Sequence, residues 1–420
     1  MDHGLVAGVV EALGWDGPQH LGAGFARGGL RDPGLPARLL TPTRLLDLAM
    51  RRPLGNPQIR CFQDGKELHP GAYLNQDAGG VGRDGSGLVN MRRLGSLLRE
   101  GTTMVLDRAN IFDPTLEVAC RALQWWSGER VTVNIYLTTN GADGFGLHWD
   151  DHDVLAVQLS GEKDWEVRGP SRSVPLHRDA ARNDTPSEET LWTGTVHPGD
   201  VLHIPRGYWH RAGRGGRGSG HSLHMTFGFT TRTGASWLSW LADRSREHEL
   251  FRRDLDPSAG SEQHRRLTEA AVELVGSAPP ADFLAAREHA VAPARHVPFL
   301  ETFGHQGSVI CVCEFRPRIR DLGETVEALS SGKKLTFKAK ALPALRLLLS
   351  GRPVPLDRAA DSVGDEVHQL AEILMRHEWC APLTPELASG CSGLVAEAPT
   401  GEGADRRPAR RGCPGRVHPS

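Results

Sequence analysis

Thiols are scarce here and poorly placed for a framework. The 420-residue chain has seven cysteines, at positions 61, 120, 311, 313, 380, 391 and 413, and only Cys311 and Cys313 stand close together. The number is odd and no CxxC occurs, so neither a disulfide scaffold nor a thiolate zinc site is expected, and a reducing cytoplasm fits best. Long apolar runs are missing as well. No stretch stays apolar for the length a bilayer demands, and the opening MDHGLVAGVVEALGW has no basic lead, so neither a spanning helix nor a secretory signal is expected. Nor is one sign of charge in excess: 49 Lys and Arg face 51 Asp and Glu, a formal net charge of −2. That balance argues against a globally basic nucleic-acid binder, and a hydrophobic share of 39% argues against a disordered chain. What is plentiful is Gly (49) and Pro (28), which implies many turns. No internal repeat is found.

The length calls for two or three domains. Up to about residue 85 the chain is Gly- and Pro-rich and weakly periodic. LLTPTRLLDLAMRR reads as a helix capped by Thr43 or an earlier Thr, and VNMRRLGSLLREG as an amphipathic helix stopped by Gly101. TTMVL reads as a short strand. Asp113-Pro114 opens a helix whose apolar face is Leu116, Ala119, Leu123 and Trp126. From Arg130 the pattern changes to short strands: VTVNIYLT, HDVLAVQLS, DWEVRG, DVLHIP and HSLHMTFGFTT. Their close spacing predicts an antiparallel sandwich or barrel of the jelly-roll kind. After Thr233 the chain turns helical. A last compact unit from about Leu322 to Leu383 carries two amphipathic helices, ALPALRLLL and EVHQLAEILMRHEWCAPL. The remainder has little to bury and is expected to be disordered.

One segment carries chemistry. In GLHWDDHDVLAVQLSGEKDW two histidines and three acids crowd the head of an apolar strand. Side chains at i and i+2 share a strand face, so His148 and Asp150 can point together as an imidazole and a carboxylate. His152 lies on the same face; His148 is preferred, because Val154 onward must be the buried part. A third ligand comes from HPGDVLHIPRGYWH, where the turn Pro205 to Gly207 aims His210 back inward. His197 and His203 compete for that place, and His203, in mid-strand, reads as structural. Two His and one carboxylate on one face match the facial triad of non-haem Fe(II) oxygenases. Cys311-Val312-Cys313 reads as a buried strand pair rather than a soft-metal site.

The spacing of Gly199, Pro205, Gly207 and His210 resembles a cupin signature. Together with Asn134-Ile-Tyr136-Leu-Thr138, His148-Trp-Asp150, Gly161-Glu-Lys163-Asp-Trp165 and His221-Ser-Leu-His-Met-Thr226, it resembles the JmjC-type oxygenases of the cupin superfamily. The branch most similar is that of the ribosomal oxygenases, which hydroxylate protein side chains. The resemblance covers about residues 95 to 233. It implies an α+β protein with a double-stranded β-helix core and N-terminal helices (1–233), a helical dimerisation segment (234–320), a winged-helix-like domain (321–385) and a disordered tail (386–420). It further implies His148, Asp150 and His210 as Fe(II) ligands, and Lys163 as the cation for the distal carboxylate of 2-oxoglutarate. Asn134 and Thr226 are implied beside the cosubstrate, and Tyr136 and Trp149 near the substrate. No catalytic side chain is implied beyond the metal ligands. Two residues after Thr226, where the family often has a hydroxyl, this chain has Gly228.

The expected activity is therefore hydroxylation of a protein or peptide side chain, His or Arg of a ribosomal protein foremost, with 2-oxoglutarate and O2 as cosubstrates, in a cytoplasmic homodimer. Hydroxylation of a small peptide or metabolite, and lysine demethylation through the same step on an N-methyl group, remain open. A non-catalytic cupin-like or winged-helix nucleic-acid binder is the reading from another class. The basic KKLTFKAKA supports it, but Asp357, Asp361, Asp365 and Glu366 in the same unit weigh against it, so no nucleic-acid partner is expected. The polar segment 171–190 reads as a solvated loop bordering the substrate cleft.

Overall fold

The computed structural model describes residues 3–75, 88–179, 182–257, 261–289, 295–297 and 307–396. The first part of the chain builds a helical layer with four short strands threaded through it. These are α1 (Gly4–Leu13), β1 (Ala26–Gly29), α2 (Leu35–Leu39), α3 (Pro42–Arg51), β2 (Ile59–Gln63), β3 (Lys66–Glu67), α4 (Met91–Glu100), β4 (Thr103–Leu106) and α5 (Pro114–Ser127). The cap of α3 is Thr41, whose hydroxyl accepts the Arg44 N–H with Pro42 at the first helical position. Asp113 caps α5 through the N–H groups of Thr115 and Leu116.

Seven strands follow: β5 (Arg130–Thr139), β6 (Asp153–Gly161), β7 (Lys163–Pro170), β8 (Thr190–Val196), β9 (Asp200–Ile204), β10 (Tyr208–Gly213) and β11 (His221–Thr230). They close into two facing antiparallel sheets. The larger runs β1-β9-β6-β11-β5-β4-β2-β3 and the smaller β10-β7-β8. Alternation along the strands of the larger sheet decides what lies inside the barrel. In β6, Leu155, Val157 and Leu159 face the helical layer, while Val154 and Ala156 join Trp165, Val167, Val196, Leu202 and Ile204 between the sheets. In β11, Leu223, Met225, Phe227 and Phe229 face the helices, which leaves His224 and Thr226 inward. In β5, Val131, Val133, Ile135 and Leu137 do the same and leave Tyr136 inward. The interior wall is therefore polar by register, not by accident of packing.

The turn from β6 into β7 is tight. Gly161 has φ +64°, and a Cβ there would fall 1.9 Å from the His221 carbonyl oxygen. Both the dihedral and the contact with β11 demand glycine. Gly161→Ala is expected to cost more than about 3 kcal/mol, since the clash is with backbone. Thermal unfolding of the variant checks it; a midpoint equal to that of the wild type would contradict the contact.

Beyond the barrel come α6 (Gly234–Ser245), α7 (Glu249–Arg252), α8 (Ser261–Ser277) and α9 (Pro280–His289). α6 ends at Ser245, whose hydroxyl donates to the Ala242 carbonyl, and α7 begins at Glu249. The C-terminal unit contains β12 (Ser308–Cys311), β13 (Arg318–Asp321), β14 (Thr325–Ser330), β15 (Lys333–Lys338), α10 (Leu342–Leu348), β16 (Val354–Pro355), α11 (Leu356–Val363), α12 (Glu366–Arg376) and β17 (Cys380–Pro382). Its sheets are β16-β12-β17 and β13-β14-β15. It thus starts before residue 321, because β12 and β13 pair with later strands and not with the helical segment. Cys311 and Cys313 are buried in its core. Trp125 of α5 packs into the same core and donates to the Cys313 carbonyl at 3.0 Å, docking the unit on the barrel.

The tail expected to be disordered from residue 386 is ordered at its start. α13 (Pro385–Cys391) is capped by Thr384 and packs on α5, burying Leu387, Cys391 and Leu394 in the main core. Its few apolar residues fall on one face, which a composition-based reading averages away. Residues 397–420 lie outside the described residues. Among the described residues, no helix is long and apolar enough to cross a membrane.

Candidate metal centre

His148 and His210 come together through backbone as well as side chain. The two residues form an isolated antiparallel bridge, with His148 N–H to His210 O at 3.0 Å and the reverse at 2.7 Å. Asp150 is tied to the following turn, because its carbonyl accepts the Gly207 N–H at 2.9 Å. The ligating atoms of His148, Asp150 and His210 all lie within 4.8 Å of one another, the one such group among the described residues. His148 Nδ1 donates to the Gly146 carbonyl at 2.8 Å, and His210 Nδ1 to the Tyr208 carbonyl at 3.1 Å. A carbonyl only accepts, so each ring carries its proton on Nδ1 and keeps the Nε2 lone pair for a metal. Burial, then the neighbouring His148, hold the His210 imidazole down to about 4, and both outweigh the pull of Asp150 with its Oδ2 3.5 Å away. His210 is therefore neutral at pH 7, as a metal ligand must be. Two imidazole nitrogens and one carboxylate oxygen suit a divalent metal such as Fe(II).

The triad opens into a cavity of about 510 Å³ lined also by Tyr136, Phe145, Leu147, Val154, Lys163, Trp165, His224 and Thr226. Lys163, only 2% exposed, donates to the Thr138 hydroxyl at 3.0 Å. Burial, with Arg214 adding to it, pushes its ammonium down to about 7. Two further buried groups have no hydrogen-bond partner among the described residues: Trp165 Nε1 and His224 Nδ1. Neither carried a role in the sequence reading. His224 stacks on Tyr136, with centroids 4.8 Å apart and planes at 5°, and burial followed by the Lys163 charge keeps it neutral. A buried cation beside unsatisfied polar groups is a site that wants an oxyanion. The residues present thus fit a metal with a bound carboxylate cosubstrate.

The other sequence-derived residues divide. Thr226 and Tyr136 line the cavity. Asn134 does not: it sits across from Thr226 in register, and its carboxamide oxygen accepts the Arg108 N–H at 2.9 Å. Trp149 is also outside the lining, bonded to the Asn183 carbonyl at 2.9 Å with its ring 4.5 Å from His177. His152 packs where Gly228 leaves room, since a Cβ on Gly228 would lie 2.8 Å from its Nε2. His203 is structural, fully buried with Nδ1 on the Gly24 carbonyl. Asp153 is buried and accepts the Arg206 N–H, while Asp151 pairs with His152 at 3.3 Å. His197 is at the surface, 3.8 Å from Glu162.

Facing antiparallel sheets with a His-x-Asp…His triad between them define a cupin-type double-stranded β-helix, and residues 109–236 match the JmjC domain family. Over that region the chain is related to the bifunctional lysine-specific demethylase and histidyl-hydroxylase NO66 of Caenorhabditis briggsae, 32% identical over 159 residues. It is likewise related to ribosomal oxygenase 2 of Bos taurus, 37% identical over 126 residues. These matches take in 37% and 29% of this chain, and only 20% and 25% of the respective relatives. A solved structure of Escherichia coli YcfD aligns over 81% of this chain and 90% of its own, at 19% identity and a TM-score of 0.49.

Proposed function

We propose that this chain is an Fe(II)- and 2-oxoglutarate-dependent dioxygenase that hydroxylates a protein or peptide side chain. The observation that carries the reading is the convergence of His148, Asp150 and His210 at a cavity that also holds the buried Lys163. His148, Asp150 and His210 would hold the iron. Iron, 2-oxoglutarate and O2 together supply the oxidative chemistry, in which the oxo acid is decarboxylated to succinate and a substrate C–H becomes C–OH. The chain does the rest. Lys163 neutralises the distal carboxylate, with Thr138 fixing its ammonium. Thr226 offers a hydroxyl, while Phe145, Leu147 and Val154 keep water from the reacting centre. Asn134 steadies the residues after β4 through Arg108. Tyr136, in the cavity lining, would stand beside the substrate, whereas Trp149 lies outside that lining.

Anaerobic addition of Fe(II) and then 2-oxoglutarate is expected to give a weak visible charge-transfer band. Folded protein that gives no band would sink the assignment. By likeness to relatives named histidyl-hydroxylase and ribosomal oxygenase, the substrate is a His or Arg side chain of a ribosomal protein. Ribosomal proteins from cells with and without the gene should differ by one added oxygen on a single side chain; identical spectra would move the substrate elsewhere.

The JmjC barrel is followed, in this proposal, by a dimerisation segment and then a winged-helix-like unit beginning near β12. α6, α8 and α9 expose Leu238, Val272, Val275 and Leu284, an apolar load suited to a second copy of the chain. Light scattering should give twice the mass of one chain. A cytoplasmic setting agrees with six free, buried cysteines among the described residues.

A further inference from the structure

Two tryptophans stand next to the metal ligands without facing the metal. Trp149 lies between His148 and Asp150, and Trp209 precedes His210. Neither lines the metal cavity. Trp209 is buried in β10 beside a ligand that faces the cavity, so alternation turns its ring the other way. Both indoles end on one stretch of chain, the connection from β7 to β8, described over 171–179 and 182–189. Trp209 Nε1 donates to the Ser171 hydroxyl at 2.7 Å, and Trp149 Nε1 to the Asn183 carbonyl at 2.9 Å. Ser171 joins the two, donating its hydroxyl to Asn183 Oδ1 at 3.0 Å. The same connection leans on the turn that aims His210. Gly207 has φ +83°, and a Cβ there would fall 2.4 Å from Pro175 Cδ.

The ligands need such a tie unequally. His210 belongs to β10 and its ladder with β7. Asp150 belongs to no helix or strand, and His148 only to the isolated bridge with His210. A metal site needs its ligands held to within about 0.5 Å, and irregular chain holds them less well than a strand does. The bonds from Trp149 through Asn183 and Ser171 to Trp209 join the irregular ligand segment to the regular one from outside the barrel.

We propose that Trp149 and Trp209 are positioning residues for the metal centre, and that the β7–β8 connection, through Ser171 and Asn183, sets the placement of His148 and Asp150 relative to His210. The inference rests on the metal-centre reading above. It turns the role of Trp149 from the substrate to the metal.

The test replaces each indole by a ring without the N–H, in Trp149→Phe and Trp209→Phe, and cuts the link between them in Ser171→Ala. Mn(II) affinity of the full-length chain is titrated by the EPR signal of the free ion, and Co(II) is bound for its ligand-field absorption bands. Each tryptophan variant is expected to weaken Mn(II) binding about tenfold, the lower end of what lost support for a metal ligand costs, and to shift the Co(II) bands. Since neither ring touches the metal cavity, that loss cannot come from a missing contact with the ion. A fall in stability alone leaves the Co(II) bands of the folded chain where they are, so the shift reports ligand placement. Ser171→Ala, at an exposed position, is expected to weaken Mn(II) binding several-fold, and keeps the test open should the tryptophan variants not fold. Added to Trp209→Phe it should weaken binding no further, because both cut the same chain of bonds. Wild-type binding together with unchanged Mn(II) affinity and Co(II) bands in the folded variants overturns the positioning role and leaves the metal centre standing. Wild-type protein that binds no Mn(II) overturns both.

Discussion

Lys163→Ala is expected to raise the 2-oxoglutarate concentration needed for half-maximal turnover by roughly 100-fold while leaving metal affinity unchanged. Removing one member of a buried charged pair costs about 3–5 kcal/mol, because the other charge is left without compensation. Lys163 is in the barrel interior, and among the described residues its one hydrogen-bond partner is the Thr138 hydroxyl. Among the described residues no carboxylate pairs with it. The same burial gives the experiment a pH signature. Without cosubstrate the folded ammonium titrates at about 7, against 10.5 in the unfolded chain. Between those values the unfolded chain binds the extra proton, so this residue makes stability rise with pH from about 7 to 10.5, and its cost is complete below 7. Lys163→Met should flatten that limb of the stability profile. An anion beside Lys163 reverses the shift. Cosubstrate should therefore bind best below pH 7 and take up a proton when it binds above it, which calorimetry in buffers of different ionisation enthalpy detects. Unchanged cosubstrate dependence in Lys163→Ala would remove the residue from the site.

Much of this was legible because the barrel strands alternate. HSLHMTFGF sets apolar Leu223, Met225, Phe227 and Phe229 against His224 and Thr226, and that polar phase is the cavity wall. His224 could have been found from that signal, since a polar residue held in phase on the inner face of a buried strand needs a partner. Other parts left no such trace. β8 is an edge strand with most of its residues partly or wholly exposed, so TLWTGTV shows no apolar alternation and the neighbouring polar loop masks it. β1 is four residues of mixed exposure, paired only along β9. Two short elements beside the C-terminal unit leave no local trace for one reason. β12 and α13 are short and draw their order from partners far along the chain, β17 in one case and α5 in the other. Local pattern cannot report contacts of that range.

The crowding of charge before β6 likewise resolves by contact. Asp150 reaches His210, Asp151 reaches His152, and Asp153 turns inward to take the Arg206 N–H and sits 3.7 Å from His203. Three adjacent acids therefore do three things, and only one of them faces the metal cavity. Asp153 holds the turn before His210 from beneath while Asp150 holds it from above through Gly207, which explains why the segment is dense in acids without being a larger metal site.

Asp150→Ala separates that chemistry from the architecture more cleanly than either histidine. Its side chain is about a third exposed, at 30%, so truncation opens no interior void, and its backbone carbonyl still accepts the Gly207 N–H. The metal-free variant should unfold within about 0.5 kcal/mol of the wild type, as surface substitutions do. His210, 5% exposed and bridged to His148, offers no such separation, because its removal also empties a packed site. With metal the two chains should part. A divalent ion at 100 times its dissociation constant stabilises the wild type by about 2.7 kcal/mol. Two imidazoles without the carboxylate are expected to bind it about 100-fold or more weakly, so that at the same ion concentration the variant gains at most about 0.4 kcal/mol. Thermal unfolding with and without Mn(II) reads the difference directly, and turnover should vanish with it. If the variant kept its metal-dependent stabilisation, the ion would have to sit on other ligands, and with it the role of Lys163 and the polar face of β11 would need a different occupant.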